Sequence, residues 1–286
     1  MTSKRATDMS IRFILKSAEK KLLAISDTPL LDAEMLLAHV LEVNRSYLYS
    51  HSDDSISQEK INLFDMLLKR RMQGEPVAYL TGHQSFWSFD LIVTPDVLIP
   101  RADTECLVEE ALRLLPSDDS VIADLGTGSG AVGLAIAFEK PNSTVYAIDK
   151  SPAALLVAKR NAEKLNIKNI IFLEGHWCDA LPSILFDCIL SNPPYIAEDD
   201  SHLMALKYEP RTALISGEDG LNDIRMIIQT AKNHLKPGGL LLLEHGWDQA
   251  VRIRNLFKQE EYISIRSYQD IAKRDRVTGG LNHSLV

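Results

Sequence analysis

Asn192-Pro193-Pro194-Tyr195 closes the apolar run Phe186 to Ser191, and its residue types suit one task, holding a planar NH2 group. An amide or aromatic amine nitrogen is a poor nucleophile because its lone pair is delocalised, a resonance seen in the amide rotation barrier of about 18–20 kcal/mol. The Asn192 side-chain oxygen and the Pro193 carbonyl can accept the two N–H bonds of such a group. They would aim its lone pair at an electrophilic carbon and stabilise the positive charge that grows on nitrogen. Pro193 and Pro194 have no N–H, so the backbone there offers acceptors and no donors, with φ fixed near −65°. Tyr195 can stack on the planar group. No general base is needed before the transfer, because the proton becomes acidic only once the nitrogen is alkylated; proximity and alignment supply most of the rate. The plainer reading is a Pro-Pro turn closing a strand, or a polyproline ligand segment.

A second cluster follows the segment Val121 to Leu125. Asp124-Leu125-Gly126-Thr127-Gly128-Ser129-Gly130 runs from that strand into a helix, and its glycines let the backbone turn tightly and approach a ligand without Cβ clashes. Nineteen residues after Gly130, at the end of the next strand, Asp149 is placed to accept hydrogen bonds from a ribose diol. Gly126-x-Gly128-x-x-Ala131 also satisfies the relaxed dinucleotide fingerprint, so the loop alone admits NAD or S-adenosylmethionine. A hydride-transferring enzyme has no use for an NH2 clamp. The two clusters together favour S-adenosylmethionine.

Both clusters need strands to carry them, and the pattern supplies these. From Asp103 onward helices are predicted near 103 to 115, from Gly130, at 152 to 165 and near 220 to 235. Strands are predicted at 121 to 125, 144 to 148, 170 to 173, 186 to 191 and 240 to 244. This alternation is that of an α/β fold with a mostly parallel sheet covered on both faces, which binds ligands at the carboxyl ends of its strands. A helix near 249 to 258 and strands at 262 to 268 and 280 to 285 are expected to add an antiparallel edge. Before all this, from Ile11 to Gln73, apolar residues recur at helical spacing, as in Leu31, Met35, Leu36 and Val40. Lys69, Arg70 and Arg71, then Gly74 and Pro76, form a helix stop. Phe86, Trp87, Phe89 and Ile92 lie in a stretch that reads as a hairpin. The expected division is a helical domain over 1–77, a hairpin linker over 78–100 and a cofactor-binding domain over 101–286.

Composition narrows the function. The 286 residues are 45% hydrophobic and 24% charged, the pattern of a folded globular protein. The net charge of −8 lies wholly beyond residue 77: the first 77 residues carry 11 basic and 11 acidic side chains. An acidic surface repels phosphate backbones, so direct nucleic-acid binding is not expected. Cys106, Cys178 and Cys188 form no metal-ligand cluster and read as core residues of a reduced compartment, and no apolar run reaches membrane-spanning length. A cytoplasmic location, no membrane partner and no metal are expected.

These residues resemble the class I, Rossmann-like methyltransferases of exocyclic and amide nitrogens, and among them the PrmC/HemK family of peptide chain release factor N5-glutamine methyltransferases. The resemblance covers nearly the whole chain. Besides the glycine loop and Asn192 to Tyr195 it includes Phe86-Trp87, Ile99-Pro100-Arg101-Ala102-Asp103-Thr104-Glu105, Glu209-Pro210-Arg211-Thr212-Ala213-Leu214 and Glu244-His245-Gly246. Ala102 departs from the family, which usually has a second proline there. The resemblance implies methyl transfer from S-adenosyl-L-methionine, which leaves S-adenosyl-L-homocysteine, to the glutamine side chain of the Gly-Gly-Gln motif of class I release factors. The helical domain would grip another part of that protein. By the same matching Gly126, Thr127, Gly128, Ser129 and Gly130 line the methionine and ribose region, Asp149 binds the ribose hydroxyls and Trp177 flanks the adenine. Asn192 sits between cofactor and substrate, and Asn192, Pro193, Pro194 and Tyr195 hold the glutamine. His176 and His245 are expected to be structural, and residues 196 to 214 to close over the substrate. Besides a catalytically silent release-factor-binding protein, two rivals stay open here. One is a DNA or RNA amino-methyltransferase, since adenine N6 offers the same NH2; the other is an NAD-binding oxidoreductase or nucleotide-binding module.

Overall fold

Side-chain caps set where the first helices begin. Ser10, Asn44 and Ser57 each accept a backbone N–H of the first turn, starting α1 (Ile11–Leu22), α3 (Arg45–Ser50) and α4 (Gln58–Met72); α2 (Pro29–Leu41) starts on a proline, whose missing N–H costs nothing there. The structure, a computed structural model, describes residues 9–115 and 117–283. The inner faces of these helices bury Leu22, Leu36, Leu37, Leu48, Phe64 and Leu68 in one core. Residues expected to begin the hairpin belong here instead. Pro76 stops α4 but opens α5 (Val77–Thr81), which Gly82 closes at a φ of 75°, and Leu80 packs into the helical core. The compact helical unit accordingly runs to His83, and a second unit starts at Gln84.

The hairpin is short, β1 (His83–Phe86) and β2 (Phe89–Ile92). Phe86, Phe89 and Leu91 pack into the core of the second unit. After a 3-10 turn at Ala102–Thr104 and α6 (Glu105–Leu114) come β3 (Val121–Leu125), α7 (Ala131–Glu139), β4 (Thr144–Asp149), α8 (Pro152–Leu165), β5 (Ile170–Glu174) and β6 (Phe186–Ser191). They are followed by α9 (Asn222–Ala231), β7 (Leu235–Glu244), α10 (Ala250–Gln259), β8 (Ile263–Gln269) and β9 (Asp275–Leu281). The seven-stranded sheet has the order β5-β4-β3-β6-β7-β9-β8. The first five strands in that order are parallel, and β9 and β8 extend them antiparallel.

Both faces are buried, so the central strands read as continuous apolar runs. Leu240 and Leu242 of β7 enter one core while Leu241 and Leu243 enter the other. The register then fixes the site: Leu125 at the end of β3 pairs with Ile148 of β4 on one side and with Ser191 of β6 on the other. Three strands thus end level, and the segments that follow them lie side by side.

The edge differs from the expected one. The last strand ends at Leu281, short of the expected 280 to 285; Ser284 and Leu285 lie outside the described residues. Gly279 and Gly280 sit inside the strand where there is no room for a side chain. A Cβ on Gly279 would come within 2.9 Å of the Leu241 carbonyl, and one on Gly280 within 2.9 Å of the Phe257 ring. Likewise β7 starts at Leu235, five residues before its expected beginning, and takes in Pro237 and Gly238 where its pairing with β6 is irregular. Gly279→Ala is therefore expected to lower the urea midpoint, by about 1–3 kcal/mol of stability, since the backbone oxygen it meets cannot yield.

Candidate active site

The glycine loop is held from below by two carboxylates. Asp124, buried at the end of β3, accepts from Thr127 Oγ1 at 2.6 Å and from the Gly133 N–H at 3.0 Å. Asp149, at the end of β4, accepts from the Gly128 N–H and the Ser151 N–H, each at 2.9 Å. Gly126 and Thr127 both donate their N–H to the Ile148 carbonyl. The loop is thereby fixed to the neighbouring strand.

Its three glycines serve different ends. All have positive φ, of 73°, 55° and 86° for Gly126, Gly128 and Gly130, which favours glycine. A Cβ on Gly126 would also strike the Trp177 ring at 2.9 Å, and one on Gly130 would meet Leu134 and Ala158 of the flanking helices. Only Gly128 faces open space, with nothing within 4 Å of its Cβ position. That space is a cavity of about 320 Å³.

Eight of the residues predicted for the site meet at this cavity: Gly126, Thr127, Gly128 and Ser129 from the loop, and Asp149, Trp177, Asn192 and Pro194 around it. Three do not line it. Gly130 is turned into the helix packing, and Pro193 and Tyr195 are not among the lining residues. Trp177 is at once a core aromatic and part of the wall: it is buried, its Nε1 donates to Asp223 Oδ1 at 3.1 Å, and its backbone has a φ of 49°. Asn192 donates from Nδ2 to Thr104 Oγ1 at 3.1 Å. The Tyr195 hydroxyl donates to Glu244 Oε1 at 3.3 Å, and burial raises its pKa. Of the two histidines, His176 reaches the cavity edge. His245 is fully buried; its Nδ1–H donates to the Gly246 carbonyl and its Nε2 accepts from Thr278, so the ring is neutral, and burial lowers its pKa to about 4.

Asp124, Thr104 and Glu244, quoted in the sequence only within longer segments, also belong to the site, as does Glu209, for which the sequence left a positioning role and a solvated loop carboxylate both open. Asp124 and Thr104 line the cavity, and Glu244 anchors Tyr195. Glu209 is buried, accepting from the Ile99 N–H at 3.1 Å and pairing with the Arg101 guanidinium. It ties the segment expected to act as a lid to Ile99 and Arg101, which flank Pro100 of the cavity wall, and Pro210, Thr212 and Ala213 of that segment line the same cavity. Only the neighbourhood of Glu209 in a recognisable motif signalled it; its partner lies 108 residues away.

Comparison with known proteins decides the family. A family model described as the PrmC N-terminal domain matches residues 14–82, and one described as a methyltransferase domain matches residues 116–277. A release factor glutamine methyltransferase of Coxiella burnetii is 48% identical over 94% of this chain and 98% of its own length. The protein of that name in Escherichia coli is 44% identical over 95% and 99%. The chain belongs to the release factor glutamine methyltransferase family. In fold it is similar to the solved methyltransferase of Pyrococcus furiosus, at 19% identity and a TM-score of 0.53 over 76% of this chain and 98% of that one. It is also similar to a 16S rRNA N2 G1207 methyltransferase of Thermus thermophilus solved with AdoMet and guanosine, at 18% identity and a TM-score of 0.53 over 70% and 50%.

Membership in this family implies the use of S-adenosylmethionine, and the cavity fits it. The open side of Gly128 is a cradle that a side chain would fill. Asp149 keeps carboxylate lone pairs beyond its two backbone bonds, and the aromatic Trp177 lines the same cavity. Among the described residues no helix is long and apolar enough to cross a membrane, and no group of three or more His, Cys, Asp or Glu could hold a metal ion.

Asp124 also gives the loop a pH signature. Burial raises its pKa to about 6, against the lowering by Thr127 and Gly133. The native state therefore holds this proton more tightly than the unfolded chain, so its contribution to stability falls as pH rises from the unfolded value through about 6. Asp124→Asn removes the titration: between about pH 5 and pH 8 the stability of the variant is expected to rise relative to wild type by about 1 kcal/mol, read from urea unfolding at each pH.

Proposed function

We propose that this chain transfers a methyl group from S-adenosyl-L-methionine to the N5 nitrogen of the glutamine in the Gly-Gly-Gln motif of class I peptide chain release factors. The observation that carries this reading is the convergence of the glycine loop and Asn192 on one cavity, at the level ends of β3 and β6. A glycine loop alone suits many nucleotides; an amide clamp beside it suits transfer to nitrogen. Relatives of nearly full length bear the name release factor glutamine methyltransferase. They favour a glutamine side chain over a nucleobase, as does the acidic charge of residues 78 to 286.

Gly126, Thr127, Gly128 and Ser129 would hold the methionine and ribose region, Asp149 the ribose hydroxyls and Trp177 the adenine, with Gly130 shaping the loop from behind. When bound, S-adenosylmethionine supplies an electrophilic methyl carbon on a sulfonium centre. The chain's own work is done on the nitrogen. Asn192 Oδ1 and the Pro193 carbonyl accept its two N–H bonds, so that its lone pair points into the cavity and the growing positive charge meets oxygen. Pro194 and Tyr195 shape the slot for the planar group. The proton leaves only after transfer, so no residue need act as base beforehand. The product is S-adenosyl-L-homocysteine, and no metal takes part.

The helical unit would grip another part of the release factor. Phe13, Leu23, Tyr49 and Met66 are exposed on it, apolar surface with which a protein partner can be held. A substrate of this kind places the reaction in the cytoplasm, where translation occurs.

Labelled S-adenosylmethionine is expected to mark an intact release factor and to leave unmarked one whose Gly-Gly-Gln glutamine is replaced; label that persists after the replacement overturns the assignment. Asn192→Ala should lower kcat by about 10²-fold or more while S-adenosylhomocysteine still binds by calorimetry. Unchanged turnover would remove Asn192 from the mechanism.

A further inference from the structure

Trp177 has a backbone conformation that its surroundings must impose. Its φ of 49° lies in the left-handed region, which a bulky residue keeps only where neighbouring contacts fix it, and such positions gather at ligand clamps. Two contacts hold the ring. Its six-membered part packs so closely on Gly126 that a Cβ there would come within 2.9 Å of Cζ3. At the opposite edge Nε1 donates to Asp223 Oδ1 at 3.1 Å. Asp223, in the first turn of α9, is itself held: Ser216 Oγ donates to its Oδ2 at 2.6 Å and accepts from its N–H at 2.8 Å. Ser216 in turn donates its N–H to the Ile196 carbonyl at 3.0 Å. Helix capping explains half of this. Leu221, the N-cap of α9, has no polar side chain, so Ser216 supplies the cap, and a carboxylate suits a helix N-terminus. Capping gives no reason for the other oxygen to meet an indole that lies 46 positions earlier.

We propose that Asp223 is a positioning residue for the cofactor: by accepting the indole N–H it keeps the Trp177 ring on Gly126, as the wall on which the adenine rests. This deepens the reading of the cavity as the S-adenosylmethionine site and rests on it. Trp177 lines that cavity and Asp223 does not, so Asp223 acts through the ring. Glu174, the last residue of β5, pairs with Asp149 of β4, and the chain turns from there to Trp177 beside the carboxylate proposed for the ribose.

What Asp223 supplies is an acceptor in one place. Without it the N–H of a buried indole would have no partner, and the ring would gain by turning that edge toward water. The indole is one rigid plane, so an N–H edge that swings outward lifts the opposite edge from Gly126. Ser216 prevents the carboxylate from making the same escape, since Asp223 is only half-buried and would otherwise be free to face solvent. The place of the oxygen matters here and its charge does not, and the two can be separated by substitution.

The test is S-adenosylhomocysteine binding to the whole chain, measured by calorimetry. Asp223→Ala is expected to weaken it about tenfold. Asp223→Asn keeps an oxygen for the indole while its NH2 meets Ser216 Oγ, so its affinity should stay within about threefold of wild type. Asp223→Glu keeps the charge, displaces the oxygen, and should lose about as much as Asp223→Ala. A role for charge alone would give the reverse order. In Trp177→Phe, which retains a ring without the N–H, Asp223→Ala should cost little more, because both cut one bond. A second readout needs no cofactor. Nitrogen-15 tryptophan labelling gives indole N–H signals for Trp87, Trp177 and Trp247, that of Trp177 being assigned by its absence in Trp177→Phe. Its exchange with water should be faster in Asp223→Ala and Asp223→Glu and as slow as in wild type in Asp223→Asn. Wild-type affinity in Asp223→Ala, a larger loss in Asp223→Asn than in Asp223→Glu, a full loss that persists on top of Trp177→Phe, or an indole exchange rate indifferent to Asp223 would overturn the proposal. A wild-type chain that binds no S-adenosylhomocysteine would instead strike the cofactor reading of the cavity, with the indole exchange still deciding whether Asp223 holds the ring. Should Asp223→Ala not fold, the order of Asp223→Asn and Asp223→Glu decides it.

Discussion

Parallel pairing of β3 with β4 and β6 is the constraint on which the site depends. Because Leu125 is level with both Ile148 and Ser191, the glycine loop, Asp149 and Asn192 emerge from the sheet at one height and within one cavity. A slip of one residue would turn every side chain of a strand to the opposite face, and with both faces buried that slip has no stable alternative. Ser191 adds a lock of its own, its hydroxyl donating to the Leu125 carbonyl at 2.7 Å across the two strand ends. The cores on the two faces, far larger than the site, hold the reacting segments in register.

Around that frame the loops are held by polar side chains that reach across the sequence. Asn161, fully buried on α8, exchanges bonds with the Ile92 backbone of the hairpin and donates to the Ser129 carbonyl of the glycine loop. Glu209 does the same for the segment after the clamp, through Ile99 and Arg101. Buried groups of this kind are costly if left without partners, so each one specifies a single arrangement of the loops it joins.

The sequence made the sheet and its ligand edge legible because local physics writes them locally. Continuous apolar runs such as Leu240 to Leu243, preceded by glycine, read as buried strands. The glycine loop and Asn192 to Tyr195 stood out because their chemistry is packed into a few adjacent positions. What could not be read was long-range. Thr104 and Asn192 are 88 positions apart, and nothing near either one says that they are hydrogen-bonded. The strand β9 begins at Asp275, ahead of the expected 280, and the closeness of Leu241 and Phe257 that calls for Gly279 and Gly280 is not visible in the local sequence. Similarly, Pro76 reads as an ending and is also a beginning, that of α5.

The absence of N–H groups at Pro193 and Pro194 has a consequence for molecular ageing. Under the proposed chemistry the slot is rimmed by oxygen lone pairs and welcomes only a group that brings hydrogens. A glutamine that has been hydrolysed to glutamate brings more lone pairs and a negative charge, and like faces like. Damaged chains would thus be turned away by the same acceptor oxygens that receive intact ones, with no separate proofreading step.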